Sequence, residues 1–114
     1  MIMCEEMKKL RSELDRRGIE WKDVSSIMPE FAIDEMVSKG VDRQIADSSI
    51  FRTHFEYNGY DFSVIYGYGT YGGIEPFTGI DRGLLECMTE KVNGGEPVGH
   101  LTAAEVIAIV EKEI

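Results

Sequence analysis

Residues 50 to 66 read "IFRTHFEYNGYDFSVIY", two runs rich in aromatic and β-branched residues separated by Asn58-Gly59. Asn-Gly is the dipeptide best suited to a two-residue type I′ turn, because both central positions require positive φ. A turn of that length fixes the register. If Tyr57 pairs with Tyr60, then Phe55 faces Phe62, Thr53 faces Val64 and Phe51 faces Tyr66. One surface of the ribbon is then almost wholly aromatic and aliphatic, and must be covered by other elements. The rest of the chain has to supply that cover.

Helical periodicity supplies candidates. In "MCEEMKKLRSELDRR", residues 3 to 17, Met3, Met7, Leu10 and Leu14 recur at helical spacing with charges between them, and Gly18 follows as a cap. Residues 19 to 24, "IEWKDV", read as a short strand. Residues 25 to 49 form an excursion in which Pro29 opens a short helix through Ile33, Met36 and Val37, closed by Gly40. Leu84, Leu85, Met88 and Val92 fit another helix, ended by Asn93, Gly94 and Gly95. Near the C-terminus Thr102 and Glu105 form a capping box, Leu101 can staple against Val106, and Val106, Ile107, Val110 and Ile114 make a buried stripe. The reading is a single α+β domain spanning 1-114, with a small antiparallel sheet of about three strands around the Asn-Gly hairpin and helices on one face.

The 114 residues are of single-domain size, and a 43% hydrophobic content suffices for a core. A net charge of -9 disfavours direct nucleic-acid binding, which needs surplus Lys and Arg. Residues 1 to 22 carry six basic against five acidic groups, so the remainder holds six against sixteen, net -10. An acidic body of this kind favours a cationic partner. Cys4 and Cys87, each in a helical pattern, are too few for a disulfide framework or a four-cysteine zinc site. With no apolar signal core and no membrane-length apolar run, a cytoplasmic location is expected, with no membrane association and no cofactor.

Gly67, Gly69 and Gly72 spell G-x-G-x-x-G within "GYGTYGG". A dinucleotide fingerprint must open a helix inside a βαβ unit, and here Pro76 and further glycines follow instead. The expected role is structural: Gly67 and Gly69 bend the strand, and Gly72-Gly73 make a positive-φ turn. Tyr66, Tyr68 and Tyr71 then either cover the edge of the core or stand exposed as a recognition surface, since tyrosine is enriched at contact hot spots.

The hairpin register also places His54 opposite Ser63 and Glu56 opposite Asp61 on the face away from the aromatics. Both are closely approaching pairs, and two facing carboxylates repel each other or recruit a cation. His54, Glu56, Asp61 and Ser63 are therefore the candidates for an acid-base or metal-dependent reaction. Solvated strand faces routinely carry such residues, however, and a ribbon alone lacks the cleft that catalysis requires. His100, after "GEPVG", reads as a loop residue without a ligand partner, and no His or Cys remains to complete a zinc set.

"CEEMKKLRSELDRRGIEW", "RTHFEYNGYDFSVIYGYGTYGG" and "LLECMTEKVNGGEPVGHLTAAEVI" together resemble small uncharacterised acidic proteins of phages and prophages of gut anaerobic bacteria. The resemblance covers roughly residues 3 to 24 and 50 to 111. That group brings no established activity, cofactor or catalytic residue. It implies a context in which small acidic proteins act by stoichiometric binding, as counter-defence inhibitors of nucleic-acid-targeting host complexes. The leading expectation is a non-enzymatic module that binds a protein through its acidic surface, with Glu56 and Asp61, and through Tyr66, Tyr68 and Tyr71. The alternatives are a small enzyme on the polar hairpin face and a homo-oligomer paired through a strand edge or the first helix.

Overall fold

The computed structural model describes residues 2–113. The hairpin has the register that its turn dictates: β2 (Ile50–Tyr57) and β3 (Tyr60–Gly67) pair from Tyr57↔Tyr60 to Ile50↔Gly67. Asn58 and Gly59 both have positive φ, 52° and 81°. Phe55 and Phe62 stack across the strands with ring centroids 4.9 Å apart, and both are buried. Burying one such side chain contributes about 2 kcal/mol, so the aromatic face outweighs the turn in holding the ribbon together.

The sheet has five strands where three were expected. All are antiparallel and follow chain order: β1 (Trp21–Asp23), β2, β3, β4 (Leu85–Met88) and β5 (Val98–Leu101). The two additional strands replace the helix expected over residues 84 to 92 and the loop expected around His100. In β4, Cys87 pairs with Val64 and turns inward, while Glu86 and Met88 lie opposite Ile65 and Ser63 on the other face. The spacing of Leu84, Leu85, Met88 and Val92 is equally compatible with a short strand entering a turn. Pairing with the free edge of β3 decides between the two. Cys87 is accordingly a buried strand residue, not a helical one.

Two helices cover the aromatic face: α1 (Glu5–Arg16) and α4 (Ala103–Glu111). Met7, Leu10 and Leu14 from α1 meet Val106, Ile107 and Val110 from α4 over Phe55, Phe62, Val64, Tyr66, Leu85 and Leu101. Met3 lies before α1 and is only partly buried. One end of each of these helices is specified by local sequence. Gly18, at φ 70°, ends α1 with paired bonds from Gly18 N to Asp15 O and from Ile19 N to Leu14 O. Thr102 and Glu105 close the expected capping box on α4, with Leu101 and Val106 buried on either side of it. Ile114, the last member of the expected stripe, lies outside the described residues.

Side chains fasten α1 to the sheet and to α4. The Arg11 guanidinium donates to Thr53 Oγ1 at 2.8 Å and to Asp23 at 3.2 Å, and stacks 4.7 Å over Trp21. Glu6 accepts from the Ala103 amide, the first donor of α4, at 2.9 Å. That bond draws the Glu6 carboxyl below its usual range. One basic and one acidic side chain of α1 thus reach two different elements.

The excursion over 25 to 49 forms α2 (Glu30–Ser38) and α3 (Arg43–Ala46). Pro29 stands at the start of α2 and Gly40 follows its end, as expected. Ile33 and Ala46 are buried there but do not belong to the main core. Arg43 of α3 ties the two helices through Glu30 at 2.7 Å and Asp34 at 3.1 Å. No helix among the described residues is long and apolar enough to cross a membrane.

Candidate functional site

The glycine-rich segment leaves β3 at Gly67 and returns to the sheet at Leu85, and no helix lies within it. Each glycine of the motif has a local reason. Gly69 and Gly72 hold φ of 80° and 101°, which side-chain-bearing residues rarely adopt. Gly72 also lies so close to His100 that an added Cβ would be 2.8 Å from its backbone. Gly67 and Gly73 do not have positive φ and are required for space: a Cβ would meet the Ser49 carbonyl at the first and Thr70 Oγ1 at the second. The motif therefore packs backbone against backbone where a phosphate loop would leave its amides free.

The amides of Gly67, Gly69 and Gly73 are occupied. Thr70 Oγ1 accepts from Gly67 N at 3.1 Å and donates to Gly67 O at 2.9 Å. Gly69 N bonds to Ile74 O, Ile74 N to Gly67 O, and Leu84 N to Gly72 O. His100, an exposed residue of β5 with φ 58°, donates its amide to Tyr71 O at 3.0 Å. On the other side of the loop the buried carboxylate of Glu86 accepts from Tyr71 N at 2.8 Å. The result is an irregular but thoroughly bonded segment.

The three tyrosines of this region separate. Tyr66 is 1% exposed and belongs to the core, its hydroxyl donating to Asp81 at 2.6 Å. Burial, reinforced by that carboxylate, raises its pKa well above the ordinary phenol value. It offers no surface to a partner. Tyr68 is half-buried, and Tyr71 is 59% exposed. Alternation along β3 accounts for Tyr66, which shares the inward face with Phe62 and Val64.

The same loop exposes two further apolar residues that the sequence reading passed over. Residues 75 to 80 close a tight turn through Glu75 N to Ile80 O at 2.8 Å and Gly79 N to Glu75 O at 2.9 Å. At its tip Phe77 is fully exposed, and Ile80 is 51% exposed. The signal was present in "EPFTG", where Pro76 and Gly79 bracket a phenylalanine in turn context.

On the outer face of the hairpin, His54 Nε2 lies 3.5 Å from Asp61 Oδ1, with both side chains substantially exposed. His54 also pairs across β1 with Lys22, and Glu56 faces Asp61. Ser63 stands half-buried between His54 and Met88 in the adjoining strands. His54, Glu56 and Asp61, but not Ser63, border a broad open depression shared with Trp21 and Asn58. Among the described residues no three His, Cys, Asp or Glu side chains converge to hold a metal ion. The fold does not unite the two candidate sites: Asp61 adjoins the Asn-Gly turn and Tyr68 lies past the far end of β3, roughly 20 Å away along the strand.

Of the thiols, Cys87 is buried and its pKa is pushed up to about 12 by burial and by neighbouring Glu86. Burial also raises that of Cys4, at the start of α1. Both are placed as packing residues. No protein-family model, curated protein or solved structure matches the chain.

Proposed function

We propose that the chain is a non-enzymatic protein-binding module that recognises its partner through the braced loop between β3 and β4. One observation carries this reading. The loop is fixed by close-packed glycines and by bonds to Glu86, His100 and Tyr66, yet it presents Tyr71, Phe77 and Ile80 to solvent. Exposed aromatic side chains on a frame already ordered lose little entropy on binding, which is the condition for an anchor residue.

The acidic body favours a cationic partner surface and quickens encounter with it. Together with the resemblance to small acidic phage and prophage proteins, this supports a stoichiometric inhibitor of a nucleic-acid-targeting host complex as the biological form of the module. Such complexes present cationic surfaces to their nucleic acid, and an acidic protein competes for them. The test is affinity capture from lysates of gut anaerobic bacteria, including strains with nucleic-acid-targeting defence systems, beside an acidic control protein of equal charge. Enrichment of one defence complex over the control supports the proposal. Equal recovery on both counts against it.

A further inference from the structure

The recognition surface extends beyond the loop. Gln44 of α3 donates to Gly79 O at 3.1 Å, so the turn carrying Phe77 is fastened to α3, and Arg43 fastens α3 to α2. The three segments make one body outside the main core. Between them they leave Phe31 76% exposed, Ile45 53% exposed and Phe77 fully exposed, with Ile27 and Ile80 about half exposed. Phe31 and Phe77 are thus nearly bare on segments that are fastened to one another.

Charge decides what covers it. Residues 25 to 49 hold five carboxylates against two cations, Lys39 and Arg43, and residues 74 to 83 hold Glu75 and Asp81 against Arg82. All three cations are already engaged, Lys39 with Glu35, Arg43 with Glu30 and Asp34, and Arg82 with Glu75. Asp47 is itself engaged, and without it the apolar side chains still emerge from a net negative surround, -2 from the first segment and -1 from the second. A second copy would bring that same negative surround against itself, which disfavours self-pairing.

Resting on the protein-binding reading, we infer that α2, α3 and the Phe77 turn form a docking surface for a cationic amphipathic protein segment. Its apolar face covers Phe31, Ile45 and Phe77, and its Lys or Arg residues meet the surrounding carboxylates.

The experiment titrates the whole chain, labelled for backbone amide NMR, with a helical leucine-lysine peptide and with its leucine-glutamate analogue. Expected are shifts concentrated in residues 27 to 47 and 75 to 82 with the cationic peptide and none with the acidic one. Phe31→Ser/Phe77→Ser should weaken binding at least about tenfold, the loss of one anchor residue's worth of contact. Added salt should weaken it further. Both phenylalanines are exposed, so the variant keeps its fold, and its unperturbed amide spectrum verifies this. Absence of shifts, shifts confined to the hairpin face, or equal binding of the acidic analogue overturns the inference. So does a doubled mass in sedimentation that the double variant abolishes, because a second copy then covers the surface. The capture experiment uses natural partners and decides the protein-binding reading separately, so positive capture with a negative titration discards this surface alone.

Discussion

The buried carboxylate of Glu86 accepts a hydrogen bond from the Tyr71 amide at 2.8 Å, linking the middle of β4 to the loop that follows β3. Removing the acceptor leaves a partly buried amide unpaired, which costs about 1–3 kcal/mol. Glu86→Ala should destabilise by that amount and accelerate hydrogen exchange at Tyr71 by about tenfold or more. Glu86→Gln retains a carbonyl acceptor and should lose much less. Amide exchange by NMR on the three proteins checks the ordering.

Glycine substitutions should separate conformational from steric demand. At Gly69, φ is 80° and a Cβ meets nothing within 4 Å, so Gly69→Ala should cost about 1–2 kcal/mol, the penalty for a left-handed residue. Gly72→Ala adds a collision with the His100 backbone and should cost about 3 kcal/mol or more. Urea midpoints with unchanged slopes would establish the difference.

Acid should loosen the contact between α1 and α4. The Glu6 carboxyl is drawn below its ordinary value by the Ala103 amide, so its folded pKa is the lower one. Its stabilisation is full above about pH 4.5, the unfolded value, and is lost as pH falls through the folded value. Glu6→Gln should cost stability at pH 7 and reduce the slope of stability against pH in the acid range. Denaturation series from pH 3 to 7 on both proteins read this directly.

How far the fold was legible depended on how local the determinant was. Asn58-Gly59 specifies its own turn, and the turn specifies every pair from Tyr57↔Tyr60 to Phe51↔Tyr66. Likewise Thr102 with Glu105, and Gly18 after α1, act on donors and acceptors within a few residues. β4 was misread because a four-residue strand carries too little periodicity, and its identity is conferred by the β3 edge some 20 residues away in sequence. The candidate site was legible only in part. Exposure of Tyr71 and burial of Tyr66 follow from strand alternation and loop closure together. The involvement of Glu86 with Tyr71, and of Gln44 with Gly79, depends on tertiary approach that no local pattern encodes.

The most direct test of a partner held by the braced loop is quantitative capture with three versions of the tagged chain: wild type, Tyr71→Ala/Phe77→Ala and Glu56→Gln/Asp61→Asn. All four substituted side chains are exposed, so each variant should keep the wild-type melting temperature. The account predicts that the loop variant loses the captured protein while the hairpin-face variant retains most of it. Retention by the loop variant with loss from the hairpin-face variant would contradict it.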